Sequence, residues 1–151
     1  MDDVERLWGA KTPEEEDRYK KIIDDRVRNS PFYMLIGMEV IGLAPGEARL
    51  RIKTGPQLHD DDGLVHPGVI FGLADASSGV AMATMVPRGS RRIVTVEMKA
   101  NFMAPVKGGE LTGIGKVLER DEELAVSEAE VFDGEGNLVA RSMATFMMLQ
   151  R

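Results

Sequence analysis

The chain has 151 residues, 43% apolar and 29% charged, with a net charge of −6, which fits one globular domain with a core of its own. An acidic chain without a concentrated basic block argues against general nucleic-acid binding, and the absence of cysteine excludes disulfides, Cys-based zinc sites and a thiol nucleophile. His59 and His66 are the two histidines, which argues against a His-rich metal site. No apolar run reaches the ~18 residues of a membrane span and the acidic N-terminus lacks a signal-peptide hydrophobic region, so a cytoplasmic protein without a nucleic-acid or membrane partner is expected.

Residues 1–30 are predicted to form an N-terminal helical extension, and 31–151 the main domain. Thr12 is a helix N-cap, Pro13 takes the first helical position, and Glu15 completes a capping box. Tyr19, Ile22, Ile23 and Val27 recur at helical spacing, and Asn29-Ser30-Pro31 ends the pattern. From Phe32 the period changes. "MLIGMEVIGLAPGEARLRIKT" reads as two strands about a turn at Ala44-Pro45-Gly46, with a loop from Gly55 to about His66. The next segment, Pro67 to about Met85, is long enough for a helix. "VPRGSRR" reads as a loop. In "IVTVEMKANFM", Val94, Val96, Met98, Ala100 and Phe102 share one face, and Thr95, Glu97, Lys99 and Asn101 the other. Three more strands follow, "ELTGIGKVLER", "ELAVSEAEVF" and "LVARSMATFMMLQ", and the last four are expected as a meander. The order predicts an α+β fold: one antiparallel sheet around a long central helix, plus the N-terminal helix. Apolar runs such as "MATFMMLQ" need cover on both faces, so a homodimer or larger assembly is expected.

The central helix carries very little polar surface, so it is expected to be enclosed by protein. Gly72, Ala74, Ala76, Ser77, Ser78 and Gly79 would let other backbone approach. Asp75 is the one ionisable group within it. A buried carboxylate is costly unless paired, hydrogen-bonded or functional, and burial raises its pKa, as a general base or nucleophile needs. A structural role, capping a loop or pairing with an arginine, is the competing reading. The helix N-terminus is the second candidate. Its free N–H groups stabilise a developing oxyanion. Pro67 has no N–H to give, Gly68 has one, and His66 stands just before. Asp75 lies nine residues after His66, roughly 13 Å along the axis and on the opposite side of the helix. The two features cannot meet within one chain. Two helices packed antiparallel about a two-fold would bring them together, giving two sites shared between subunits.

"GLVHPGVIFGLADASSGVAM" and the segment from "VTVEMKANFM" to "ATFMM" resemble the hot dog fold, and within it the PaaI-type acyl-CoA thioesterases, over roughly Ser30 to Leu149. The resemblance implies hydrolysis of an acyl- or aryl-acyl-CoA to free acid and CoA. No cofactor is implied beyond the CoA of the substrate, and the assembly implied is a homodimer with shared sites, or a tetramer as a dimer of dimers. By that likeness Asp75 is the base or nucleophile, Gly68 the second glycine of a His-Gly-Gly turn whose first glycine commonly donates to the oxyanion, His66 the residue orienting the thioester, and Thr95 a holder of the attacking water. Gly63 opens the motif. Two positions depart from the family pattern. Pro67 stands where the family usually has Gly, and Asp60 where it usually has Asn, so an acceptor replaces a possible donor. Arg88, Arg91, Arg92 and Lys107 are candidates for the CoA phosphates. A non-catalytic acyl-CoA-binding protein and a hydratase-dehydratase on the same fold are the alternatives.

Overall fold

The computed structural model describes residues 9–86 and 91–150. Helix α1 (Pro13–Ile22) starts where the sequence says it should: the Thr12 hydroxyl accepts the Glu15 N–H, and Lys11 N–H donates to the Glu15 carboxylate at 2.7 Å. A π-helical stretch, Ile23–Arg28, continues α1 and keeps Tyr19, Ile22, Ile23 and Val27 on one buried row. These four side chains belong to the same apolar cluster as the sheet and the central helix.

The segment after Ser30 departs from the expected strand. Pro31–Ile36 is a short helix, α2. Pro31 sits at its first position, and Gly37 ends it in the left-handed region (φ 76°), donating its N–H to Tyr33 and Met34 carbonyls. Strand β1 (Met38–Ala44) begins only after that glycine, and a turn leads into β2 (Glu47–Thr54).

The remaining elements are α3 (Pro67–Ala83), β3 (Arg91–Phe102), β4 (Gly109–Arg120), β5 (Leu124–Phe132) and β6 (Leu138–Gln150). The sheet is six-stranded and antiparallel, in the order β1-β2-β4-β5-β6-β3. The meander therefore holds for β4, β5 and β6 alone. β3 does not neighbour β4; it pairs with β6 and forms the sheet edge. The link back to β4 is pinned by two main-chain bonds, Met103 N–H to Val139 O and Val65 N–H to Val106 O. Alternation reports which face a side chain takes and nothing of which strand lies alongside.

Two further details of β3 differ from expectation. Arg91 and Arg92 lie in the strand, not in a loop. A β-bulge also falls between Thr95 and Glu97, leaving Val96 unpaired against β6. The bulge resets the alternation. Ile93 and Met98 both pack against the core, and Thr95 faces α3. The single row from Val94 to Phe102 is thus split at Val96.

Helix α3 touches every strand and packs most closely on β4. The close approach is supplied by the sheet. A Cβ on Gly115 would stand 2.3 Å from the Ser77 carbonyl group, and one on Gly113 2.4 Å from the Ser77 hydroxyl. Gly72 and Gly79 of the helix would meet only side chains, Phe32 at 3.5 Å and Phe146 at 3.7 Å. Among the described residues no helix is long and apolar enough to cross a membrane.

Candidate active site

Asp75 projects half-buried from the middle of α3. Thr95 Oγ1 donates to its Oδ1 at 2.8 Å. Burial pushes the Asp75 pKa above the ordinary carboxylate value, and the Thr95 hydrogen bond offsets part of that rise by favouring the charged form. The carboxylate opens onto a cleft of about 860 Å³. Apolar side chains of α3, β3 and β6 (Val80, Ala83, Ile93, Phe146) line it together with Arg18, Lys21 and Tyr33 from the N-terminal helices. Tyr33 was not anticipated as a site residue, because its helix was read as strand; the Pro31 and Gly37 punctuation is the signal that marks it. Burial, then the Asp75 charge, pushes the Tyr33 hydroxyl up to about 12, so it stays protonated at neutral pH and can donate.

The start of α3 is built differently. His66 is the N-cap, and its Nδ1 accepts the Gly68 N–H at 2.8 Å. The Val69 N–H goes to the His66 carbonyl at 2.9 Å. The Gly68 donor, expected free for an oxyanion, is therefore held by His66 in this structure. An accepting Nδ1 places the neutral ring's proton on Nε2, and His66 is exposed. Pro67 fills the first helical position, where no intrahelical N–H bond is lost.

Asp60 holds the loop before the helix. Its Oδ1 accepts the N–H groups of Asp62 and Leu64, each at 3.0 Å. Gly63 sits at the tip with φ 76° and donates to the Asp60 carbonyl. The loop needs only an acceptor at position 60, which a carboxylate supplies as well as an amide. Asp60 and Pro67 line a smaller pocket of about 260 Å³ with Phe102 and Met103.

The fold thus gathers Asp75, Thr95, Arg91 and Arg92 around one cleft and places Asp60, Gly63, His66, Pro67 and Gly68 at the start of α3. Lys107 is exposed and does not line the Asp75 cleft. Arg88 lies outside the described residues. Among the described residues, no group of three or more His, Asp or Glu is placed to hold a metal ion.

The family model of the Thioesterase superfamily matches residues 62–140, from the Asp60 loop through β5. The chain belongs to the thioesterase superfamily. Its sheet around a long helix is the hot dog fold, and its enzyme class is thioester hydrolase. A thioesterase family protein from Silicibacter pomeroyi superposes with a TM-score of 0.83 at 25% identity, covering 88% of this chain and 99% of that one. A mutant of the phenylacetic acid degradation protein PaaI from Thermus thermophilus superposes at 0.72 with 28% identity, covering 80% and 100%. The medium/long-chain acyl-CoA thioesterase YigI of Escherichia coli is 24% identical over 136 residues, 81% of this chain and 88% of that protein.

Proposed function

We propose that the protein hydrolyses an acyl-CoA thioester with water activated by Asp75. The observation that carries this reading is the half-buried Asp75 carboxylate, raised in pKa and bonded to Thr95 on the wall of a substrate-sized cleft. Asp75 accepts a proton from water as the water oxygen bonds to the carbonyl carbon. Thr95 orients the carboxylate and the water beside it. The tetrahedral oxyanion then collapses, the carbon–sulfur bond breaks, and CoA thiolate leaves without a strong general acid. No step draws on a metal or a redox cofactor.

The oxyanion is met by the start of α3 from a second copy of the chain, packed antiparallel about a two-fold. His66 Nε2–H is one donor there. Gly68 N–H is the other, once the His66 ring turns away. On this reading the functional unit is a homodimer with two shared sites. The edge strand β3 of twelve residues, with exposed Val96 and Phe102 on it and exposed Met103 just after it, favours such a partner.

Asp75→Asn, assayed by free-thiol release over short, medium, long and aromatic acyl-CoAs, is expected to lose about a hundredfold or more in kcat. Turnover equal to that of the unmutated protein would remove Asp75 from the mechanism.

A further inference from the structure

The start of α3 is short of free donors for an oxyanion. Pro67 has no N–H, the Gly68 N–H is taken by His66 Nδ1 at 2.8 Å, and the Val69 N–H by the His66 carbonyl at 2.9 Å. Beside Asp75, on the same chain, stands an unengaged donor, the Tyr33 hydroxyl. Tyr33 lines the cleft with Asp75 and Thr95, and it lies outside residues 62–140, which the family model matches.

Local sequence puts it there. Pro31 opens α2 and Gly37 closes it, with the Gly37 N–H donating to the Tyr33 carbonyl at 2.9 Å. Phe32 lies against α3 at Gly72, where an added Cβ would meet its ring at 3.5 Å. Gly72 stands about one turn before Asp75 on that helix. The Tyr33 ring, 6.2 Å from that of Phe32 and tilted at 59° to it, packs on the core and is held at the Asp75 end of the cleft. Burial and the charges of Asp75 and Arg26 act on its hydroxyl, with no hydrogen bond among the described residues. Burial and the Asp75 charge outweigh Arg26, so the phenol keeps its proton at neutral pH.

We propose that the Tyr33 hydroxyl donates a hydrogen bond to the thioester carbonyl oxygen and stabilises the oxyanion from the Asp75 side. The inference rests on the reading that Asp75 activates water against that carbonyl. As the water oxygen bonds to the carbonyl carbon, Asp75 takes a water proton and loses its charge, and the carbonyl π pair moves onto oxygen. Negative charge passes from one neighbour of Tyr33 to another. Tyr33 keeps its proton throughout. Its hydrogen bond strengthens as charge develops on oxygen, and relaxes when the pair returns and the carbon–sulfur bond breaks. The donor sits on the same chain as Asp75 and complements those brought by the start of α3 from a second copy.

The test is Tyr33→Phe in the full-length protein, which keeps the ring and its packing. With butyryl-CoA and 3-hydroxybutyryl-CoA alike, kcat is expected to fall about a hundredfold or more, with KM little changed. A CoA thioether bearing a trifluoromethyl ketone forms a hydrate with a tetrahedral oxygen where the oxyanion would stand. It is expected to bind the variant about tenfold more weakly or worse, while the S-alkyl-CoA thioether without the carbonyl binds both proteins equally. Unchanged kcat overturns the proposal. So does a loss confined to the 3-hydroxyacyl substrate, which would make Tyr33 a reader of the acyl chain. Equal weakening of ketone and thioether also overturns it, because lost packing would act on both. A fluorinated tyrosine at position 33 gives an independent reading. Its more acidic phenol is expected to bring the basic limb of the kcat profile to lower pH, and an unmoved limb overturns the proposal. Ketone affinity is read without turnover, so Tyr33 can fail while Asp75→Asn still abolishes hydrolysis. Full turnover in Asp75→Asn removes the underlying reading whatever Tyr33→Phe shows.

Discussion

At the scale of single residues, the site depends on how one hydroxyl and one burial compete over Asp75. Burial favours the protonated acid, and Thr95 favours the carboxylate that can accept a proton from water. Replacing Thr95 with Val removes the stabilising donor and leaves burial in place, so the Asp75 pKa rises further. Activity that requires the carboxylate is present above that pKa and lost as pH falls through it. The acid limb of the kcat/KM profile in Thr95→Val is therefore expected to move to higher pH; an acid limb at the same pH would show that Thr95 does not tune Asp75. Asp75 stands out in the sequence because a lone carboxylate in an apolar helix has few structural uses, and the structure places it half-buried against Thr95 on a cleft. Tyr33 does not stand out, because nothing in periodicity says that a six-residue helix will fold back over the middle of a distant one. The occupation of Gly68 N–H by His66 was hidden for a related reason: a free donor at a helix start is a statement about backbone, and the neighbouring side chain decides whether it stays free.

At the scale of elements, the order of helices and strands was readable almost throughout, and the errors came from two places. Local punctuation around Pro31 and Gly37 overrode an apolar run that looked strand-like. Strand order depends on where the chain re-enters the sheet, so β3 lies beside β6 although β4 follows it in sequence. The bulge at Val96 was invisible to a period-two pattern, yet it is what lets Thr95 face Asp75 while Met98, three residues on, packs into the core on the same side. The contact between α3 and β4 makes a sharper demand. Gly115 faces the Ser77 backbone with no room for a methyl group, so Gly115→Ala forces helix and strand apart at an expected cost of about 1–3 kcal/mol. Gly79→Ala, whose new Cβ meets only Phe146 in ordinary contact, is expected to stabilise by up to about 1 kcal/mol through helix propensity. Urea denaturation of the two variants checks the pair, and equal effects would mean that the β4 contact relaxes freely.

At the scale of the whole molecule, the proposed site depends on the separation between the start of α3 and Asp75 at its middle. On the proposed reading, Asp75 and His66 of one chain serve different reaction centres of a dimer, so mixing two variants, each impaired at one of these residues, is informative. Asp75→Asn and His66→Ala proteins, unfolded together and refolded, are expected to regain about a quarter of the unmutated activity, as random pairing in a two-fold dimer gives one intact site in half of the dimers. No recovery after verified subunit exchange would place each site within a single chain. The dimer was inferred from apolar surface and helix geometry; the role of the N-terminal helix was not, since a sequence pattern shows an amphipathic face without showing what the opposite face overlooks. That helix buries Tyr19, Ile22, Ile23 and Val27 along its extended row and turns Arg18 and Lys21 toward the cleft. Swinging it aside would expose those apolar side chains at about 1.5–3 kcal/mol each. It is a wall, not a lid. Trimming it away would be read first as lost solubility, because it uncovers that apolar row.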